Sequence, residues 1–468
     1  MIPTPIFTIS LPDGVSAEQV TPEIITPQLA AQYIQRHVSN ELPRLQKLER
    51  YYNGEHDITN RGKEPGQANN RLVTNHAKYI ADFTSGYLIG EPVSYTADAD
   101  ITAITDALKN AKAAVEDTDL ALDCAKFGRA YEIIYMYGDP PKPRFARISP
   151  LNAFVVYDDT VNQTPVFGIY YMPIYDATGQ LTGYNGCIST ATYIQELRLS
   201  GSLGVNSTYE PIPHYFGMVT INEIYNDFER VGDFEDVISL MDAYNVLQSD
   251  RVNDKEQFVN ALLVIKGQVL GDTDEESAER YDAIKAHGVM TLDRDGEAAY
   301  LTRQLDESNV EVLKTSIVHD IHKISCVPDM SDQNFAGNVS GVAMRYKLLG
   351  LEQKTKVKER FFEEGLRYRL ECIANILATM GAGAIDTDGI TIQFTRSLPA
   401  NYLEEAQIIN SLQGIVSNET LLSRLNFISD PAEELKKVEK DKEAALKRQD
   451  AITQAMMKRE LNNSLDDV

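Results

Sequence analysis

Residues 308–380 decide the reading of this chain: SNVEVLKTSIVHDIHKISCVPDM (308–330), SDQNFAGNVSG (331–341) and VAMRYKLLGLEQKTKVKERFFEEGLRYRLECIANILATM (342–380). The pattern is helix, polar loop, long helix. Ser308 with Glu311 three residues on forms a capping box, each side chain satisfying an amide at the helix start. Val310, Leu313, Ile317, Ile321 and Ile324 recur at three- and four-residue steps, which is one apolar helix face. Pro328 ends the helix, because proline disfavours helical geometry in the residue before it. The loop Asp329–Gly341 is rich in the Asp, Asn, Gly and Ser that support turns. The second helix carries Met344, Leu348, Leu351, Thr355, Lys358, Phe362, Leu366, Ile373 and Leu377 in one stripe. At ~1.5 Å per residue, 342–380 spans about 60 Å, so the helix runs past several packing partners or subunits.

The 468 residues suffice for two or three domains with a sizeable core. With 43% hydrophobic residues the chain is globular rather than disordered. A net charge of −25 argues against a protein that grips nucleic acid through its overall field, while leaving room for one that lets DNA slide. The cysteines Cys124, Cys187, Cys326 and Cys372 lack metal-site spacing and read as reduced thiols of a cytosolic chain. The N-terminus does not read as a signal peptide, and no apolar run reaches the ~20 residues that span a bilayer.

Along the chain, residues 1–25 read as an irregular or partly extended arm. Thr26 caps a helix with Pro27 at its first position, where the missing amide costs nothing, and Asn53-Gly54 ends it. Helices at 101–113 and 118–128 precede short strands in 127–138, 144–159, 166–172, 191–199 and 215–227. Asp158-Asp159, at a strand end, reads as a turn rather than a metal site. From Asp233 a helix of about 30 residues carries Phe234, Val237, Met241, Tyr244, Phe258, Leu262 and Ile265. Its middle, QSDRVNDKEQ (248–257), is polar on every side and needs neighbours or charge pairs. Residues 267–307 hold eleven acidic against four basic residues, a net of −7. They read as a short helix and a 289–303 hairpin turning at Asp295-Gly296. A strand at 389–399, a capping box at Asn401 and Glu404, and helices to about Glu460 with alternating charges complete the chain. The fold class is α+β, largely helical.

No glycine-rich phosphate loop or nucleophile elbow is present, so any motor is a partner. His319 and His322 read as helix-surface histidines without a third ligand. Asp293-x-Asp295-Gly296 lacks the distal glutamate of a calcium loop. No catalytic residue, metal or cofactor is assigned. Between Arg345 and Arg360 six basic residues face two glutamates, a net of +4 in an acidic chain. This patch, with Lys314 and Lys323, either forms a solvated face or pairs with an acidic region of a neighbouring subunit, or else it approaches DNA phosphates.

Several strings, in order, resemble one family: YYNGEHDI (51–58), RLVTNHAKYIADFTSGYLIGEPVSY (71–95), SPLNAFVVYDD (149–159), HYFGMVTINEIYND (214–227) and NFAGNVSGVAMRYKLLGLE (334–352). The chain resembles the portal, or head–tail connector, proteins of tailed bacteriophages, of the type found in siphophages of Gram-positive bacteria. The resemblance implies a wing (1–232), a first stem helix (233–266), a clip (267–307) and a second stem helix (308–327). A tunnel loop (328–341), a long wing helix with its returning strand (342–400) and a crown (401–468) follow. It implies a closed ring of about twelve copies, at one capsid vertex of the virion and assembled in the host cytoplasm. Double-stranded DNA would pass through it without sequence readout. Gln333, Asn334, Phe335, Asn338 and Val339 would line the channel, and Phe335 would either touch DNA or pack on a neighbouring loop. Lys314, Lys323, Arg345 and Lys347 are the tunnel-facing basic candidates. Terminase, scaffold, major capsid protein and head-completion adaptors are the implied partners. A metal-dependent nuclease of phage origin and a membrane pore are the alternatives. The first requires clustered carboxylates, the second a lipid-facing apolar stripe.

Overall fold

The computed structural model describes residues 7–65, 67–259, 262–266, 271, 273–287, 296–301, 307–330, 346–396, 407, 409–423, 425, 428, 431 and 433–448. Its named α-helices are α1 (Pro27–Arg36), α2 (Leu42–Tyr52), α3 (His76–Leu88), α4 (Thr102–Asn110), α5 (Ala113–Phe127), α6 (Ile238–Val259), α7 (Asp274–His287), α8 (Glu307–Ser325), α9 (Leu349–Leu377) and α10 (Asn418–Leu422). The chain forms two units: Met1–Leu42 with Asp82–Val231 and Asp329–Val468, and Pro43–Ala81 with Gly232–Pro328.

Among the described residues the first unit has two main sheets and a two-stranded pair. In the larger, β1 (Thr8–Ile9) pairs parallel with the strand Ala153–Asp158 of an antiparallel series. The unit's further strands in chain order are β2 (Ser94–Thr96), β3 (Arg129–Tyr137), β4 (Lys142–Ile148), β5 (Ala153–Asp158), β6 (Pro165–Tyr175), β7 (Leu181–Ser189), β8 (Tyr193–Ser200), β9 (Val205–Thr208), β10 (Ile212–Pro213) and β11 (Ile221–Tyr225). The large sheet runs β1-β5-β6-β7-β8-β10 with β9 on β8, and the smaller runs β11-β3-β4. Thr391–Gln393 returns to pair antiparallel with β2.

The N-terminal arm is less free than its composition suggests. Phe7, Val20 and Ile25 are buried with α1 against the large sheet. Thr26 caps α1 as expected, its hydroxyl accepting from the Leu29 amide at 3.2 Å. A π-helical turn, His37–Glu41, then carries the chain towards α2, with the Leu42 amide donating to the His37 carbonyl. His37 is buried, its Nδ1 2.7 Å from the Tyr171 hydroxyl and its ring stacked on Phe154. Burial, with the Arg129 charge adding to it, lowers its pKa to about 3.

A second core forms where α4, α5 and α9 cover the smaller sheet. Gly128, in left-handed geometry at φ 83°, ends α5 there, and a Cβ on it would lie 2.0 Å from the Arg230 carbonyl oxygen. Gly365 lets α9 approach β11, since a Cβ would meet Ile224 at 2.6 Å. Across this contact the Asn222 amide donates to the Gly365 carbonyl and to Glu132, both at 2.8 Å. Arg369 of α9 is wholly buried. Its Nη1 donates to Asp117 of α5 at 2.7 Å and its Nε to both oxygens of Glu132 on β3, at 3.0 and 2.9 Å. The guanidinium carbon lies 4.0 Å from the centre of the Phe145 ring. Burial works against the charged guanidinium, but the two carboxylates outweigh it and Arg369 is held more basic than usual. Burial pushes the Asp117 carboxyl up, opposed by Arg369.

In the second unit α6 and α8 are the long elements. The polar middle of α6 finds its neighbour in an extended strap of the same chain. The amides of Asn70, Leu72 and Thr74 donate to Asn253 Oδ1 (2.7 Å), Ser249 Oγ (2.9 Å) and Asn245 Oδ1 (2.9 Å). Two extended residues rise about 6.6 Å and four helical residues about 6 Å, so the two periods match. Asn245, Ser249 and Asn253 are accordingly buried. Arg61 and Lys63 both pair with Asp250 on the same stretch. Arg44 clamps Glu235 with two bonds, at 2.7 and 2.5 Å.

Two sequence expectations need correction, and two fall partly outside the described residues. Leu262 and Ile265 do not extend α6, which ends at Val259. They belong to β12 (Leu262–Lys266), whose antiparallel partner is β13 (Glu297–Leu301). Residues 297–301 pair with the chain before α7, and the first strand and turn of the expected 289–303 hairpin, 289–295, lie outside the described residues. The capping box at Ser308 is not used: α8 already includes Glu307, and Glu311 turns to Lys314 and Arg251 instead. Of the long helix expected at 342–380, the described part has two helical residues at 346–347, a turn at Leu348, and then α9, 29 residues and about 44 Å. It ends at Leu377 in a π-helical turn, Ala378–Ala382, and residues 331–345 lie outside the described residues.

Three outcomes follow. Arg369→Met strands Asp117 and Glu132 in the core and costs about 3–5 kcal/mol, read as a lowered midpoint in denaturant. Ser249→Ala leaves the Leu72 amide unpaired, costs about 1–3 kcal/mol, and speeds hydrogen exchange at that amide. His37 is neutral when folded but takes up a proton below its ordinary 6.5 when unfolded. Its contribution is therefore complete above pH 6.5 and is lost as pH falls towards 3, about 2 kcal/mol by pH 5. His37→Gln flattens that slope in acid denaturation.

Candidate nucleic-acid interface

The candidate residues fall on α8 of the second unit, on 331–345, which lie outside the described residues, and on and just before α9 of the first unit. Helix α8 stops where Cys326 enters left-handed geometry at φ 60°. The end is fixed by the Tyr79 hydroxyl donating to the Pro328 carbonyl at 2.7 Å, and by His322 Nδ1 2.9 Å from the Val327 carbonyl. His322 packs edge-on against His76 and Tyr79. The proline stop is thus where the sequence places it, and His322 is a packing residue. His319 is exposed beside Asp320 at 3.6 Å.

The expected apolar face of α8 is only partly covered by its own unit. Ile321 is fully buried, and Val310 and Ile317 are half-buried. Leu313 and Ile324 are each 51% exposed, Val312 is 69% exposed, and Val246 of α6 is 40% exposed. Leu313 and Ile324 are eleven residues apart, which returns them to within about 20° on a helix.

The basic candidates fall into different settings. Lys314 donates to Glu311 at 2.8 Å, and Glu311 also accepts from Arg251 at 3.1 Å. These bonds, that from Lys314 first, hold the Glu311 carboxyl below its usual range. Lys323 is exposed and has no acidic partner among the described residues. Nine residues separate Lys314 from Lys323, about 180° around the helix, so they point to opposite sides. Lys347 is exposed just before α9. Arg345 and the loop residues Gln333, Asn334, Phe335, Asn338 and Val339 lie outside the described residues.

The positive patch of α9 is partly internal. Lys358 is buried, and Lys356 lies 3.8 Å from Glu352. Both glutamates of the patch also serve the first unit's own structure. Arg396 pairs with Glu359 and, at 3.4 Å, with Glu352, which accepts from the Tyr87 hydroxyl at 2.7 Å. All of these contacts lie within one subunit.

Among the described residues no group of three or more His, Cys, Asp or Glu is placed to hold a metal, so the nuclease alternative has no observation in its favour. Asp158 is a turn residue, its Oδ1 accepting from the amides of Thr160 and Thr164 at 3.2 and 3.1 Å. Among the described residues no helix is long and apolar enough to cross a membrane. Sequence reasoning did not find the strap on α6. Its only signal was the demand of 248–257 for polar neighbours.

The portal protein of Bacillus phage SPP1 is 26% identical to this chain over 444 residues, 87% of this chain and 86% of its own length. The portal protein of Clostridium phage phiCD119 is 24% identical over 421 residues, 82% of this chain and 89% of its own. A chain in a structure titled as the neck of an empty GTA particle computed with C6 symmetry aligns with 80% of this chain and 90% of its own, at 14% identity and a TM-score of 0.43. Residues 31–448 match the family described as phage portal protein, SPP1 Gp6-like, and the chain belongs to that family.

Proposed function

We propose that this portal-family chain works as a closed ring of about a dozen copies around a channel for double-stranded DNA. The observation that carries the reading is the uncovered side of α8. Leu313 and Ile324, on one side of an otherwise well-fixed helix, remain half-exposed, with Val312 and Val246 more than a third exposed. Apolar side chains gain about 25 cal/mol per Å² when removed from water, and a neighbouring copy of the same helix pair supplies that cover. A net charge of −25 per chain sums to about −300 for such a ring, which disfavours tight phosphate binding and lets a duplex slide.

In this reading α6 and α8 are the stem, and the clip is closed at its base by β12 and β13. Residues 1–232 with α9 and its returning strand are the wing, and the helical residues 433–448, largely exposed, belong to the crown. The segment Gln333–Val339, which includes Asn334, Phe335 and Asn338, is the constriction. Lys323 is the exposed cation available to phosphates on α8, while Arg345 and Lys347 flank the loop. Terminase and head-completion adaptors dock on the acidic clip, where Asp274, Glu275 and Glu276 open α7. Scaffold and major capsid protein meet the wing at the capsid vertex.

The test has two arms. Leu313→Glu with Ile324→Glu is expected to leave the subunit folded but abolish rings in negative-stain images. Asn334→Ala with Phe335→Ala is expected to give normal rings in particles that package or retain DNA poorly. Rings unaffected by the first pair, or full packaging and retention with the second, contradict the reading.

A further inference from the structure

The first unit holds a cleft of about 300 Å³ between the β5–β6 turn, β11 and α9. Its wall includes Tyr157, Tyr225, Phe361 and Tyr368, together with the carboxylates Glu223 and Glu364. Three of these rings have their hydroxyls committed elsewhere. Tyr157 donates to Glu223 at 2.8 Å and lies 2.7 Å from the Tyr225 hydroxyl, and Tyr368 donates to the Val219 carbonyl at 2.8 Å. What the wall offers an occupant is therefore aromatic carbon. Phe361 meets Tyr225 nearly edge-to-face at 6.4 Å and continues that surface.

The charge of the cleft has one sign. Among the described residues no lysine or arginine lines it. Glu223, with a side chain only 3% exposed, is paired with Arg230 at 3.2 Å. Glu364 is exposed and has no basic partner among the described residues. Counting Glu223, Glu364 and the adjoining Arg230 leaves one net negative charge. The chain itself shows what such a wall binds: the Arg230 guanidinium sits 4.1 Å from the centre of the Tyr225 ring. A cation is attracted by ring faces and by a carboxylate together, whereas an anion is repelled and a neutral ligand gains only the first.

We propose that this cleft binds an organic cation headgroup, a guanidinium or a primary ammonium, seated against the aromatic wall and paired with Glu364. The headgroup comes either from a free diamine or polyamine or from an arginine or lysine side chain of another copy. None of the residues it uses belongs to the α8 surface or to the loop assigned to the channel, and only the neighbour source rests on the proposed ring.

The experiment is calorimetric titration of the full-length chain with agmatine, both as purified assembly and as dissociated subunit. Saturable binding to the subunit is expected, weakened about tenfold by Glu364→Gln and by Phe361→Leu, with unchanged unfolding temperatures. The neutral analogue pentylurea is expected not to bind. Binding that disappears on assembly identifies the occupant as a neighbour's side chain, and binding that persists identifies a free cation. No binding to either form, equal affinity for pentylurea, or an unaltered Glu364→Gln variant overturns the proposal.

Discussion

The first unit depends on one buried cation. Arg369 has no contact with solvent, and a guanidinium in that position is tolerated only because Asp117 and Glu132 face it. Desolvating three charges is expensive, and the return is specificity of placement more than net stability. The bonds fix α9 in rotation and height against α5 and β3. Asn222 adds a second lock by donating to both Glu132 and the Gly365 carbonyl. Gly365 has to be glycine for that approach, since any side chain there would enter Ile224. The helix that leads out of the loop is thereby anchored at its far half, about 20 residues beyond its own start.

The second unit follows a different economy of contacts. Its long helix α6 is polar where most helices are amphipathic, and its buried polar groups are answered by backbone amides of the strap. That arrangement makes α6 rigid without giving it a large apolar core. Its partner α8 then presents apolar side chains that its own unit leaves in water. A unit in which the buried polar groups of α6 are answered while apolar side chains of α8 stay in water is suited to lateral association. Lys314 and Lys323 lie on opposite sides of α8.

Local chemistry was legible in the sequence wherever the partner lies within a few residues. Thr26 caps α1, Pro328 follows the end of α8, and Asp158 organises its turn, all as residue type predicts. The family was legible because several strings occur in order. Misreadings arose where two local rules compete. LLVIK (262–266) is a short apolar run that helix and strand both accommodate, and its pairing with Glu297–Leu301 decides for strand. Ser308 and Glu311 have capping spacing, but Glu311 finds two cations. What stayed hidden is non-local. Nothing near Arg369 in sequence announces Asp117 or Glu132, 252 and 237 residues away. The cleft likewise draws its wall from separate stretches of the chain.

The central claim is that the α9 core is complete within one subunit while the α8 surface is completed by another. Hydrogen exchange compared between the dissociated subunit and the assembly measures this directly. The account predicts equally slow exchange at 362–374 in both forms, and protection at 310–324 that rises strongly on assembly. Equal protection of 310–324 in the two forms would contradict it.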